Sequence, residues 1–260
     1  MVSIIILSFN TKDLLKDCLE SIYKNLKGFD FEVIVVDNAS KDNSLQELSK
    51  LKYPFGPSSG RGQKSNLKTI ENKENLGFSK GNNIGAKAAK GEYLVFLNSD
   101  TEICDNRFSE MVKFLESHKE IGIMGGRLKN QDGSLQKSTG VFYTLPNVFL
   151  MLFGGEKIGM LRSSPSFTKE VDWVSGAFMM TRREIFEKLR GFDENFFMYV
   201  EDMEICYRAK KIGFSTYFYS NIEILHRQLG SSNRVFAIVQ IYKGLLYFYK
   251  KHKSYIEYCI

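Results

Sequence analysis

Two stretches near the start, Val2-Ser3-Ile4-Ile5-Ile6-Leu7 and Glu32-Val33-Ile34-Val35-Val36-Asp37, are β-branched and nearly continuous in apolar character. They lack the every-second-residue alternation of a half-exposed strand, so both read as strands buried on two faces. Between them Leu14, Leu15, Cys18, Leu19, Ile22 and Leu26 recur at helical spacing, with Asn10 or Thr11 as the N-cap. After the turn Asn38-Ala39-Ser40 comes a helix through Leu48 and Leu51, then a short strand over Lys68–Glu71. A helix through Ile84 and Ala88 leads to the strand Tyr93–Leu97. Strand alternating with helix in this way predicts an α/β protein with a mostly parallel sheet covered by helices.

Beyond about residue 120 the pattern is mixed. Strands are predicted over Gly122–Leu128 and Val171–Met180, and helices over Arg182–Leu189 and Asp202–Ile212. A last amphipathic segment runs from Arg234 to Lys251. There is no internal repeat and no linker near the change of pattern, so residues 1–260 read as a single domain. The segment PFGPSSGRGQKSN, around Pro54 to Asn66, reads as a surface loop. Its glycines miss the phosphate-loop register, because Arg61 stands where the second Gly belongs, and it follows a helix rather than a strand.

Composition narrows the classes. Hydrophobic residues are 43% and charged residues 25% of 260, the balance of a globular protein with a sizeable core. The net charge of +6 suits an anionic small substrate or a membrane surface and is not a nucleic-acid signature. Cys18, Cys104, Cys206 and Cys259 are scattered without a CxxC pair, which predicts reduced thiols in a cytosolic setting. MVSIIILSFN has no basic segment before its short apolar run, so no signal peptide is expected, and no apolar stretch is long enough for a transmembrane helix.

In a parallel sheet, ligand-binding groups collect beyond the carboxyl ends of the strands. Here those ends carry Ser8-Phe9-Asn10, Asp37-Asn38 and Asn98-Ser99-Asp100. Each is also an ordinary turn or cap residue taken singly. The set NLGFSKGNNIG holds Gly77, Gly81 and Gly85 at four-residue spacing, suited either to a close-approaching anion or to tight helix-on-sheet packing. Glu201, Asp202 and Glu204 stand at a helix start, where the dipole favours carboxylates and where a general base could also be set. His226 closes the apolar run Ile222-Glu223-Ile224-Leu225; it is a structural residue, or a ligand if a carboxylate and a metal lie opposite. The C-terminal segment interleaves Phe and Tyr with Lys243, Lys250, Lys251 and Lys253, which fits either a membrane interface near anionic lipids or a packed helix with solvated lysines.

The stretches ILSFN, VVDNASKDNS, NLGFSKGNNIG, FLNSD, DWVSGAFMMTRREIF, GFDENFFMYVEDMEICYRAKKIGF and ILHRQLGSS resemble, in order and spacing, the bacterial family-two glycosyltransferases. The likeness is greatest to the rhamnosyltransferase-like branch and spans roughly residues 2 to 250. The resemblance implies a GT-A fold, a nucleotide-diphosphate sugar donor linked to UDP or dTDP, a divalent cation (Mn²⁺ or Mg²⁺), and transfer with inversion. It further implies a glycan or lipid-linked glycan acceptor in surface polysaccharide assembly. Residues 1–120 would then be the nucleotide-sugar half, 121–232 the metal and acceptor half, and 233–260 a C-terminal helical segment, in a cytoplasmic or peripheral membrane protein.

Carried over position by position, Ser8 and Asn10 would line the nucleotide site and Asp37, with Asn38 beside it, would hold the base. Asn75, Gly77, Lys80, Gly81 and Asn82 would lie along the nucleotide and donor sugar. Asn98-Ser99-Asp100 stands where the family has its metal-binding DxD, with Asn in place of the first Asp. Asp100 and His226 would be the metal ligands, and the cation would arrive with the donor. Asp202 matches the catalytic base, with Glu201 as the other candidate for that role. Trp173, Ser175 and Gly176 match the segment on the donor and acceptor side, where an exposed indole could stack on a sugar; a lone Trp is equally a core residue. The loop around Pro54 to Asn66 departs from the compact family pattern. A sugar nucleotidyltransferase is the nearest enzyme rival, but ILSFNTKDLL lacks the glycine-rich loop such enzymes carry after the first strand. A non-catalytic scaffold of the same fold is the other rival.

Overall fold

A computed structural model describes residues 1–50, 65–154, 161–228 and 234–259. Most of the predicted surface loop around Pro54 to Asn66 and the LGSS end of ILHRQLGSS therefore lie outside the described residues. In chain order the first half runs β1 (Val2–Ser8), α1 (Lys12–Asn25), β2 (Phe31–Asp37), α2 (Ser44–Lys50), β3 (Ser65–Glu71), α3 (Gly77–Ala88), β4 (Tyr93–Asn98), β5 (Thr101–Ile103) and α4 (Phe108–Ser117). The chain continues with β6 (Ile121–Lys129), β7 (Leu135–Gln136), β8 (Thr139–Gly140), α5 (Leu145–Leu152), β9 (Arg162–Ser163), β10 (Lys169–Val171), β11 (Trp173–Val174) and β12 (Phe178–Arg182). It closes with α6 (Arg183–Lys188), α7 (Glu201–Lys211), β13 (Ser215–His226), α8 (Arg234–His252) and α9 (Tyr255–Cys259).

The central sheet has the order β10-β13-β6-β12-β4-β1-β2-β3, with β5 paired to β13 and β7 to β6. β3, β2, β1 and β4 are parallel, while β12 runs antiparallel to both β4 and β6. One sheet thus passes through both halves of the chain. The unbroken apolar runs have a simple cause. Ile4, Ile6, Val33, Val35, Val95 and Leu97 pack with α1 and α4 on one face. Ile5, Ile34, Val36, Leu94 and Phe96 pack with residues of α6, α7 and α8 on the other. Successive side chains point to opposite faces, and both faces are covered.

α3 lies against this sheet through its glycines. A Cβ on Gly81 would stand 2.3 Å from Leu7 Cδ1, and one on Gly85 would stand 2.4 Å from Ile5 Cγ2. Of the two readings of the glycine set, close packing explains these two positions.

The predicted strand Val171–Met180 is not one strand. β10 and β12 belong to the central sheet, whereas β11 joins a separate three-stranded sheet ordered β11-β8-β9. The interruption falls at Ser175-Gly176, where the chain turns out of the sheet; Ser175 N donates to Ser138 O. Among the described residues no helix is long and apolar enough to cross a membrane.

Candidate active site

The carboxyl ends of β1, β2 and β4 meet in register, Ser8 beside Asp37 and Leu7 beside Asn98. Above the β1 and β4 ends opens a cleft of about 580 Å³. Asn38, Asn75, Gly77, Asn98, Ser99 and Asp100 line one side, and Trp173, Ser175, Gly176, Glu201, Asp202 and His226 line the other.

The cleft answers why β4 ends in three polar residues. At Ser99-Asp100 the chain leaves β4 and enters β5, which pairs antiparallel with the end of β13. In that pairing Thr101 stands opposite His226, so His226 Nε2 comes within 3.4 Å of Asp100 Oδ1. Arg227 N donates to Asp100 O, and the Arg227 guanidinium pairs with Asp17 and Glu102, fixing the crossing. Ser99 serves the turn: its hydroxyl bonds Thr11 Oγ1, which in turn bonds Ser8 Oγ. The buried Ser8 thereby acts through this hydroxyl chain and is not among the residues lining the cleft.

No group of three or more His, Cys, Asp or Glu that could hold a metal occurs among the described residues. Asp100 and His226 offer one carboxylate oxygen and one imidazole nitrogen, a donor set that fits Mn²⁺ or Mg²⁺ only if other ligands complete the shell.

A second group of cleft-lining residues is built at the start of α7. Tyr199 and Val200 both have left-handed backbone, φ 69° and 71°, a costly conformation for a β-branched residue. α8 crosses directly over this turn at Gly244, whose Cβ would stand 3.0 Å from Val200 Cγ2 and 3.2 Å from Tyr199 O. The strained turn aims Glu201 and Asp202 at the cleft. Asp202 Oδ2 accepts from Gly176 N at 3.1 Å, and Oδ1 accepts from its neighbour Met203 N at 2.8 Å. Burial pushes the Asp202 carboxyl above its ordinary range, while the Gly176 amide and the Arg162 charge oppose that rise. Glu201 lies 5% exposed with Oε2 unpartnered. Burial, and then the Asp202 charge, push its carboxyl well above the usual range. Of two adjacent carboxyls, Asp202 has the amide and cationic support that favours ionisation, and Glu201 lacks it.

Several sequence-predicted residues stand elsewhere. Lys80 is exposed on α3, Gly81 is packed on β1, and the buried Asn82 donates to Phe78 O; none of the three lines the cleft, because they face outward or into the helix–sheet contact. Asn10 is exposed with φ 54°, and its side chain accepts from Lys41 N, away from the cleft lining. Asp37 is buried; Oδ2 accepts from Ser40 N and Oδ1 has no partner, leaving an acceptor beside the β2 end. Asn38 braces the wall, donating to Asn75 Oδ1 and Gly77 O. Gly77 itself is at φ +79°, with Phe197 O only 2.4 Å from where a Cβ would be.

Trp173 takes the core reading of the two that the sequence allowed. Its indole is 3% exposed, its Nε1 donates to Val141 O, and the Arg162 guanidinium lies 5.1 Å from the ring centre. It has no free face for a sugar; it carries Arg162. Arg162 went unnoticed in the sequence because it belongs to no motif and reaches the cleft only through the β8–β9 and β8–β11 pairings. Gln136 was also missed; its Oε1 lies 2.9 Å from His226 Nδ1.

The family model for Glycosyl transferase family 2 matches residues 3–190. The chain belongs to that family. It is a glycosyltransferase, and its α/β sheet with flanking helices is the GT-A architecture that the motifs implied. Among family-2 relatives it is 27% identical over 233 residues to the rhamnosyltransferase WbbL of Escherichia coli (strain K12), covering 87% of this chain and 83% of that one. To the N-acetylglucosaminyl-diphospho-decaprenol L-rhamnosyltransferase of Mycobacterium tuberculosis (strain CDC 1551 / Oshkosh) it is 23% identical over 228 residues, 78% of this chain and 68% of the other. Among solved structures, the mannosyltransferase PcManGT from Pyrobaculum calidifontis, in complex with GDP-Man and Mn²⁺, superposes with a TM-score of 0.64 at 17% identity. That likeness covers 96% of this chain but 63% of the mannosyltransferase, and it is a likeness of fold.

Proposed function

We propose that this chain is an inverting glycosyltransferase that moves a hexosyl or deoxyhexosyl unit from a UDP- or dTDP-linked donor to a glycan or lipid-linked glycan, in surface polysaccharide assembly. The observation that carries the reading is the meeting, in one cleft, of the Asp100–His226 pair with an amide-braced carboxylate at Asp202. The names of the two rhamnosyltransferase relatives support the sugar class, and the mycobacterial one supports a lipid-diphosphate acceptor.

In this reading Asp37 Oδ1 accepts a hydrogen bond from the nucleobase, and Asn75 and Gly77 lie along the nucleotide. Asp100 and His226 would hold Mn²⁺ or Mg²⁺, which supplies positive charge against the donor's diphosphate. The donor's diphosphate and water would have to supply the remaining ligands, because among the described residues no group of three His, Cys, Asp or Glu side chains forms there. The Mn²⁺ in the mannosyltransferase complex supports this choice of ion. Asp202 removes the proton from the acceptor hydroxyl as that oxygen forms its bond to the anomeric carbon. The bond from that carbon to the diphosphate oxygen breaks, and the nucleoside diphosphate leaves with the electron pair. Attack opposite the leaving group inverts the centre. Gly176 N–H and Arg162 favour the ionised form of Asp202, against the burial that raises its pKa.

Contact with an anionic lipid surface belongs to the same reading. α8 buries Leu245, Phe248 and Tyr249 but leaves Val235, Val239, Tyr242 and Leu246 exposed along its outer side, with Lys243 and Lys250 beside them. Ala237 and Ile241 of the same helix line the cleft, so an amphiphilic acceptor held at the surface would be near Asp202.

The test is a thermal-shift titration with UDP, dTDP and GDP, each with and without Mn²⁺, followed by sugar transfer with the responding nucleotide's sugars. At a hundredfold excess over its Kd a ligand stabilises the fold by about 2.7 kcal/mol. A cation-dependent shift with UDP or dTDP that Asp100→Ala abolishes is expected. No shift with any nucleotide would sink the donor assignment.

A further inference from the structure

Gln136 carries no motif and sits on the two-residue strand β7, opposite Leu128 of β6. It is 6% exposed, and every polar atom of its amide is engaged. Its Nε2 lies 2.7 Å from Asn130 Oδ1 and 2.5 Å from the backbone oxygen of His226, with Lys129 O farther off at 3.4 Å. Asn130 Nδ2 donates to Ser134 Oγ, so Oδ1 is the Asn130 atom left to accept from Gln136. These neighbours are all oxygens that accept, so the nitrogen end of the Gln136 amide must face them; reversing the amide would set oxygen against oxygen. The oxygen end is thereby fixed toward His226, with Oε1 2.9 Å from Nδ1.

An amide oxygen only accepts, so the hydrogen of this contact belongs to Nδ1. A neutral imidazole protonated at Nδ1 bears its lone pair on Nε2. That is the atom 3.4 Å from Asp100 Oδ1. A lone pair and a carboxylate oxygen then face each other across the cleft edge, an arrangement that a cation between them satisfies. The contact spans 90 residues of sequence, so it exists only because β7 and the end of β13 both flank β6.

We propose that Gln136 is a positioning residue for the cation site: it locks His226 in the Nδ1–H tautomer and so presents Nε2, beside Asp100, as a ligand. The inference rests on Asp100 and His226 being the protein's cation ligands. Outer partners of this kind set the ring orientation and tautomer of ligating histidines, and losing one typically lowers metal affinity by roughly 10- to 100-fold.

The experiment has two readouts, neither of them turnover. The first is long-range ¹H–¹⁵N NMR of the histidine rings in the cation-free full chain at mildly alkaline pH. The chain has three histidines, and the signals lost in His226→Ala assign the ring. The second is Mn²⁺ affinity, with and without UDP, by electron paramagnetic resonance titration of wild type, Gln136→Leu and His226→Ala. The expected result is an Nδ1–H, Nε2-unprotonated pattern for His226 in wild type. Gln136→Leu should lose that pattern and bind Mn²⁺ about 10- to 100-fold more weakly. An Nε2–H tautomer in wild type would overturn the inference, and that readout needs no variant, so a Gln136→Leu chain that failed to fold would leave the test intact. A folded Gln136→Leu chain with unchanged Mn²⁺ affinity would also overturn it, provided His226→Ala is weakened. If His226→Ala itself binds Mn²⁺ as tightly as wild type, the ligand reading fails, and the Gln136 inference with it.

Discussion

The backbone amide of Gly176 points at Asp202, donating to Oδ2 at 3.1 Å from a turn that interrupts two short strands. A Cβ at Gly176 would stand 3.2 Å from Phe78 Cζ, a tight contact, and 3.5 Å from Asp202 Cβ, an ordinary one. The pair joins the β11–β12 connection to the first turn of α7, and it separates Asp202 from Glu201 chemically although the two are adjacent in the chain.

Replacing Asp202 with Asn should lower kcat by about 10²- to 10⁴-fold, the usual contribution of a general base, with nucleotide binding retained in the thermal-shift assay. Glu201→Gln should keep most of the activity, because burial and the Asp202 charge favour the neutral acid at Glu201, and Gln resembles that form. Rate measurements on the two variants decide between the carboxyls; the reverse ranking would move the base to Glu201.

The acid limb of kcat/KM should lie above the ordinary aspartate range, because burial raises Asp202 and the base must be ionised to act. Activity is therefore lost as pH falls through that raised value. Arg162→Met removes a cation that favours the carboxylate, so the limb should move to higher pH. A pH–rate profile of both chains checks the direction, and an unmoved limb would detach Arg162 from Asp202.

Gly77 holds φ +79° with Phe197 O packed 2.4 Å from the site of a Cβ, and Phe78 N donates to that same oxygen. Gly77→Ala should cost about 1–3 kcal/mol from backbone strain alone, with the clash added. At roughly 2–4 °C per kcal/mol for a domain of this size, calorimetry should find Tm lower by several degrees. By contrast Gly133→Ala, at φ +81° with nothing within 4 Å, tests the strain without the clash and should cost less.

Glu204 is fully buried on α7 and accepts from Arg208 of the same helix and from Lys251 and His252, which tie α8 to α7. Burial alone would raise its pKa, but these bonds outweigh it and bring the carboxyl down from 4.5 to about 2. A depressed folded-state value stabilises the fold above about pH 4.5, and that stability is lost as pH falls toward about 2. At about 1.4 kcal/mol per unit, Glu204→Gln should destabilise the neutral-pH protein by roughly 3 kcal/mol. Denaturant melts at pH 7 and pH 3 should show the gap between the two chains narrowing in acid.

If α8 meets a lipid surface, wild-type protein should float with vesicles rich in anionic lipid and bind neutral ones less. Val239→Ser with Leu246→Ser removes two of the exposed apolar groups and should release the protein, with its melting temperature little changed. Equal flotation of both chains, or a concentration-dependent dimer that the substitutions dissolve, would count against a lipid surface.

Local pattern was enough for the parallel half of the sheet. Residues 2–8, 31–37 and 93–98 are apolar on both sides of the strand, and only a sheet covered on two faces accommodates that. The polar ends of these strands, with Asp100 and the acidic start of α7, were legible for the same reason: they interrupt or follow a local periodicity. What the chain did not disclose locally was which of these groups meet. Val171–Met180 reads as one strand because its residues are uniformly strand-like, yet the Gly176 amide is taken by Asp202 instead of a neighbouring strand. Lys80 and Asn82 sit among motif residues, yet the turn of α3 sends them away from the cleft. His226 reaches Asp100 across 126 residues only through the β5–β13 register, and Gln136 reaches His226 only because β6 holds β7 and β13 together. Periodicity reports the face a side chain presents. The partner it finds there depends on long-range strand pairing, which leaves no spacing in the sequence to read.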